Sequence, residues 1–221
     1  MSTVEKATTR TKAHIRYKLK DGTGVPGVTT VLGVLNKPAL VKWANNLGLQ
    51  GIDSSKYVDD KAAIGTLAHL MVADYLRGQE TDTSEYSKAQ IDQAENSVLS
   101  FFVWEEQHAI EAILIEEPMV SEHFRFGGTI DCLAKLDGKL VLIDLKTSKG
   151  IYPEMLLQLA AYNQLLSEHG HVIDNARILR IGRDEDEGFE ERQVNNMAKR
   201  WEVFSHCLAI YNLNRELKGG N

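Results

Sequence analysis

An Asp-Gly dipeptide, Asp137-Gly138, separates two runs of alternating residues, Gly128 to Leu136 and Lys139 to Thr147. Asp-Gly between β-type runs is the strongest short-range hairpin signal, because a two-residue type I′ turn needs positive φ at both central positions. That turn fixes a register. Leu136 pairs with Lys139, and counting back sets Asp131 opposite Asp144 and Thr129 opposite Lys146. Side chains along a strand alternate between faces. Thr129, Asp131, Leu133, Leu142, Asp144 and Lys146 therefore share one face, and Ile130, Cys132, Ala134, Val141, Ile143 and Leu145 the other. The second face is apolar throughout and reads as core.

Opposed side chains in such a pair have Cβ atoms roughly 4.5–5.5 Å apart, so two aspartates there repel unless something neutralises them. A hard divalent cation, Mg²⁺ or Mn²⁺, does so by taking carboxylate, carbonyl and water oxygens. Lys146, two residues beyond Asp144 on the same face, is placed to meet a phosphate or a metal-bound water. The competing reading has both aspartates pointing into solvent, but Leu133 and Leu142 on their face argue for partial cover. Upstream, Ile64, Leu67, Ala68, Met71, Val72 and Tyr75 recur at helical spacing and mark a buried stripe. His69 lies beside that stripe, with Gly65 one turn earlier leaving room at the imidazole. A histidine so placed is more often structural than a ligand.

At these residues the chain resembles the PD-(D/E)XK nuclease superfamily, and within it the RecB-like exonuclease branch. The matching elements are Gly-Gly-Thr-Ile-Asp ending at Asp131, Ile-Asp-Leu-Lys-Thr from Ile143 to Thr147, Gln158 through Tyr162, and Gly-Thr-Leu-Ala-His ending at His69. Each is weak alone, and four in order are strong. From Pro26 to Tyr162 the chain looks especially like phage-type and mitochondrial genome maintenance exonucleases. The resemblance implies an α/β fold with a restriction-endonuclease-like core, a central mixed sheet flanked by helices, and a helical N-terminal half.

The same resemblance implies a site. His69 becomes a metal ligand beside Asp131, Asp144 and the backbone carbonyl of Leu145. An acidic residue stands on the strand before the hairpin, where Glu116 fits the spacing better than Glu117. Gln158 orients Lys146 or a backbone phosphate, with Tyr162 in support, and Thr147 or Ser148 donates to a neighbouring phosphate. The implied activity is metal-dependent phosphodiester hydrolysis by an exonuclease acting on a DNA single strand or duplex end, in recombination, repair or phage DNA processing. A recombination or single-strand-binding protein is the partner such an enzyme would have. Two other readings stay open: a structure-selective endonuclease or junction resolvase, and a catalytically silent nucleic-acid-binding module.

Composition agrees with one domain over 221 residues, 43% of them hydrophobic. It divides into a flexible basic arm (1–12), a helical cover (26–110), a catalytic sheet and helix (111–194) and a C-terminal helix (195–221). Two cysteines, Cys132 and Cys207, cannot supply the four thiolates of an iron–sulfur cluster. No apolar run approaches the ~18 residues of a membrane span, and the cytoplasm of a bacterium or phage-infected cell is the expected location.

The net charge of −6 argues against a generally basic nucleic-acid binder. Much of the acid sits in Asp184 to Glu187 and Glu190-Glu191, read as a solvated turn, whereas Lys6, Arg10, Lys12, Arg16, Lys18 and Lys20 form a basic arm. The remaining pattern predicts a strand from His14 to Leu19, a short helix opening at Val28-Thr29-Thr30, and helices from Pro38 to Leu47 with Gly48 as stop, Asp59 to Arg77 and Ser87 to His108. Strands follow over Ala112 to Val120, Phe124 to Leu136 and Leu140 to Thr147, then a helix from Glu154 to Glu168. Strands Ala176 to Gly182 and Phe189 to Val194 precede a helix from Asn195 to Leu217 and a frayed Gly219-Gly220-Asn221 tail.

Overall fold

In the computed structural model of the chain, Asp137 and Gly138 both hold positive φ, 52° and 81°, as a type I′ turn requires. The structure describes residues 15–35 and 37–219. In chain order the elements are α1 (Val28–Leu32), α2 (Pro38–Leu49), α3 (Ser54–Leu76), α4 (Lys88–Glu105), β1 (Ile110–Ser121), β2 (Phe126–Leu136), β3 (Lys139–Lys146), α5 (Pro153–Glu168), β4 (Asn175–Ile181), β5 (Phe189–Gln193) and α6 (Met197–Gly219). The strands form one mixed sheet in sequence order, parallel only where β3 meets β4. Helix α5 makes that parallel crossover, since parallel neighbours cannot be joined by a tight turn.

The hairpin keeps its expected register from Leu136↔Lys139 to Cys132↔Ile143, and there the ladder stops. Asp131 and Asp144 are therefore not a paired rung, and Thr129 pairs with Pro118 of β1 rather than facing Lys146. Strand β3 pairs with β4 along its other edge from Val141 to Lys146. Strand β2 becomes irregular at Asp131, opposite the left-handed Glu116 of β1, so that Asp144 and Lys146 keep only their β4 partners, Ile178 and Arg180. Two strands that diverge at their ends open a wedge lined by carboxylates.

Both faces of the sheet are covered. Cys132, Ala134, Val141, Ile143 and Leu145 pack with Val72 of α3 and Val98, Phe101 and Trp104 of α4. Leu133 and Leu142 pack with Leu159, Leu165 and Phe204 of α5 and α6, so the face carrying the acids is a second core. Ile130 departs from the alternation and joins this second cluster. The change of face falls at Asp131, opposite a residue of β1 with positive φ. The N-terminal helices divide between the layers. Helix α1 lies with α5 and α6, α3 and α4 cover the opposite face, and α2 buries no residue.

Other departures have local causes. Of the expected His14–Leu19 strand, His14 lies outside the described residues and only Lys18 makes a bridge, to Gly24. The segment turns back on itself: Leu19 N donates to Thr23 O, and Gly22 holds φ 85°. Lys6, Arg10 and Lys12 also lie outside the described residues, as do Gly220 and Asn221, while Gly219 is still helical. Helix α2 runs through Gly48 to Leu49 and ends where Gly51 adopts φ 74°. Cys132 and Cys207 are buried free thiols.

The acidic β4–β5 turn is not fully solvated. Glu187 accepts from the Arg183 amide at 3.0 Å and from Nε and Nη2 of its guanidinium at 2.9 and 2.7 Å. Burial opposes the Glu187 charge, but the Arg183 bonds outweigh it and hold the carboxyl below the usual glutamate value. A carboxyl whose folded value is depressed stabilises the fold above its unfolded value, about 4.3, and that contribution is lost as pH falls through the folded value. Glu187→Gln should thus cost about 1–3 kcal/mol at neutral pH. Urea unfolding of both proteins should show this gap closing as pH falls below about 4; a gap independent of pH would mean that packing, not charge, makes the difference.

Candidate metal centre

Glu116 sits between the pairs Ile115↔Cys132 and Glu117↔Ile130, which sets it across β1 and β2 from Asp131. Its φ is 50°, a left-handed conformation that a non-glycine residue in a strand adopts only when its surroundings impose it. One such constraint is visible: Arg77 Nη2 donates to Ile115 O at 2.7 Å. Helix α3 brings His69 over the same point, with Nδ1 3.8 Å from Glu116 Oε1 and 3.5 Å from Asp131 Oδ2. Ligand atoms of His69, Glu116 and Asp131 all lie within 4.8 Å of one another. Glu117 is exposed.

Asp131 also repairs the sheet. Its Oδ2 accepts the Leu145 amide at 3.0 Å, just beyond the last rung that β3 shares with β2. Asp144 is fully buried, with Oδ2 paired to Lys146 Nζ at 2.5 Å and Oδ1 without a hydrogen-bond partner. Burial pushes the Asp144 carboxyl up to about 6, against the pull of Lys146. Burial also works against the Lys146 charge, but Asp144 and Asp131 outweigh it and hold the ammonium above the usual lysine value. Lys146, with 16% of its side chain exposed, is therefore a largely buried cation at neutral pH.

Helix α5 closes the other side. Gln158 Nε2 donates to Tyr162 Oη at 2.7 Å, with both side chains buried. The Tyr162 ring occupies the space where a Cβ on Gly128 would stand, 2.5 Å from Cε1. Burial and the charges of Asp131 and Asp144 raise Tyr162 well above the usual phenol value, so it keeps its proton. Thr147 Oγ1 stands 2.6 Å from where a Cβ on Gly65 would be, so the β3–α5 loop packs into a notch in α3. Ser148 Oγ donates to Gly150 O at 2.8 Å, which ties that loop down.

Sequence reasoning missed two contributors. Tyr17 lies against Gly127 and its hydroxyl is 2.9 Å from Thr129 Oγ1, two residues before Asp131. Arg77 braces the carbonyl before Glu116. Neither carries a local signal, because each acts on residues roughly 40 or more positions away.

A divalent cation fits this donor set. His69 Nδ1 and Asp144 Oδ1 are buried without hydrogen-bond partners, and buried polar atoms of that kind are costly unless something else satisfies them. The donors are one imidazole and carboxylates, the mixture that suits Mn²⁺ and Mg²⁺.

The model of the PD-(D/E)XK nuclease superfamily matches residues 42–210, and the chain belongs to that superfamily. Similar solved structures include a protein from Eubacterium rectale assigned as an exonuclease, with a TM-score of 0.45, 14% identity, and coverage of 67% of this chain and 68% of that one. The alkaline exonuclease LHK-Exo of Laribacter hongkongensis aligns with a TM-score of 0.35 at 15% identity, over 69% of this chain and 81% of its own. A structure of LHK-Exo with dAMP gives a TM-score of 0.36 and 15% identity, over 68% and 80% of the two chains. None of the curated proteins compared matches the chain.

The orphaned Nδ1 separates a ligand from a core residue. His69→Ala removes no hydrogen bond that the protein itself supplies, so in chelator it should melt close to the wild type. It should then need ~10-fold more cation to gain the same thermal stabilisation, with the larger loss in Mn²⁺. A chelator melt followed by titration with each metal measures both. A large drop in chelator alone would make His69 a structural residue.

Proposed function

We propose that the protein is a divalent-metal-dependent deoxyribonuclease that digests DNA from an end. One observation carries this reading: His69, Glu116 and Asp131 converge at the wedge where β2 and β3 part, beside the buried Asp144–Lys146 pair. In it, His69, Glu116, Asp131, Asp144 and the carbonyl of Leu145 hold Mg²⁺ or Mn²⁺. The bound ion supplies a water of lowered pKa and neutralises charge on the scissile phosphate.

The residues do the rest. Lys146, held cationic by its two aspartates, donates to the attacking water or to the phosphate oxygen that gains charge. Asp144 keeps that ammonium in place. Glu116 and Asp131 face each other across two strands, so their spacing is set by the sheet rather than by flexible loops. Tyr162, fixed by Gln158, fills the floor under Gly128 and keeps water from entering behind the site. In this reading Thr147, which packs into the Gly65 notch, donates to a neighbouring phosphate. End-directed cutting is favoured over a resolvase by the Gly65 to His69 and Gln158 to Tyr162 elements of RecB-like exonucleases.

A covalently closed single-stranded circle and its linear form, incubated with Mg²⁺ or Mn²⁺, test the reading. The linear strand should disappear while the circle survives. Asp144→Asn and Lys146→Ala should each lower the rate by at least ~100-fold with the fold retained. Prompt cutting of the circle would promote the endonuclease reading. Near-normal activity in Asp144→Asn would remove the site assignment altogether.

A further inference from the structure

Helix α3 carries more than His69 toward the solvent side of the site. Tyr57, Lys61, Gly65 and His69 follow one another at four-residue spacing, and residues so spaced are surface neighbours on a helix. The row extends about 18 Å along the axis. At its inner end His69 stands over the carboxylates, and Gly65 admits Thr147 of the β3–α5 loop. Next, Lys61 Nζ is held 2.8 Å from Gln93 Oε1 and 5.9 Å from the centre of the Tyr57 ring. At the outer end Trp43 of α2 meets Tyr57 edge-on, with centroids 5.9 Å apart and planes at 64°.

This arrangement does little for the core. Helix α2 buries none of its residues, and Trp43 is 36% exposed, whereas Trp104 in the core is 4% exposed. Lys61 lies over one face of Tyr57. An edge-on contact, however, covers at most one face of one ring, so Trp43 keeps a face that Tyr57 does not cover, and such a face is what a nucleobase stacks on. Lys42 and Lys56, the sequence neighbours of the two aromatics, are exposed. Asp59 and Asp60 follow on α3, but Asp60 accepts from Gln90 Nε2 at 2.9 Å and belongs to the α3–α4 contact. Aromatic faces interleaved with cations are the physical means by which proteins hold a single strand without reading its sequence.

We propose that the row from His69 to Tyr57, with Trp43 at its outer end, is a track for single-stranded DNA, and that Trp43 and Tyr57 stack a base of the strand whose phosphate is cut. The proposal rests on the nuclease reading above and adds to it the form of the substrate and where it is held. Lys61 meets the backbone between the cut phosphate and the stacked base. At the ~3.4 Å spacing of stacked nucleotides, the stacked base lies no more than about five nucleotides from the metal centre.

Fluorescein-labelled single-stranded DNA decamers, titrated by anisotropy against the Asp144→Asn chain in Mg²⁺, test the track. Trp43→Ala and Tyr57→Ala in that background should each weaken binding about 5- to 150-fold, with unchanged circular dichroism. Trp43→Phe should restore most of the loss. Moving a single abasic site along the decamer should reveal one position that costs the parent a similar factor and costs the Trp43→Ala chain nothing further.

Equal affinity of the parent and Trp43→Ala chains, or an abasic scan without a sensitive position, would overturn the track while the wild type still cut linear DNA. Tighter binding of the matching RNA would overturn DNA as the occupant. Neither binding by the parent nor cutting by the wild type would remove the track and the nuclease reading together.

Discussion

Where the β2–β3 ladder ends at Cys132↔Ile143, β3 runs on with β4 alone, and the Asp131 carboxylate accepts the Leu145 amide at 3.0 Å. A side chain thus does the work of a missing rung. Because Asp131 is tied to the backbone of β3, its carboxylate is held 3.5 Å from His69 Nδ1 without any loop to position it. Glu116 reaches the same point from β1 through its left-handed backbone, and the imidazole of α3 is laid across the two. The central wedge and the site are one structural event, and both begin where the β2–β3 ladder ends at Ile143.

The energetics point the same way. A fully buried aspartate with one oxygen unpartnered, paired through the other to a lysine that burial disfavours, is a poor way to stabilise a fold. A well-packed apolar pair of similar volume would serve the core better. Proteins keep such local conflicts where chemistry needs them, and the left-handed Glu116 lies within the same few ångströms. The surrounding core carries the cost: Leu133, Leu142, Ile143 and Ile178 are all essentially inaccessible to solvent.

The hairpin was legible because its determinants are local. Asp137-Gly138 specifies the turn, the turn specifies register, and the observed ladder follows that register for its whole length. What could not be read from the two strands alone was where the ladder would end, since β2 leaves it at the irregularity opposite Glu116 of β1, outside the hairpin. The face assignment failed at Ile130 for a related reason: a period of two assumes a regular strand, and the backbone opposite Asp131 is not regular. His69 was ambiguous in the helix and found its surroundings only in the fold. Gly48 shows the limit of residue-type signals, because a glycine ends a helix only where the backbone needs a left-handed residue, and that place was Gly51.

The kink at Glu116 also acts on the outside of the molecule. Strand β1 forms one border of the sheet, and a regular border strand offers an unpaired row of amides and carbonyls to any other strand that meets it. Here the row is interrupted by the left-handed residue and by Pro118, and it carries Glu111 and Glu117 as exposed charges. The distortion that turns a carboxylate inward therefore also denies the sheet a smooth edge, and protects against edge-to-edge aggregation a fold whose other border, β5, is short and mostly charged.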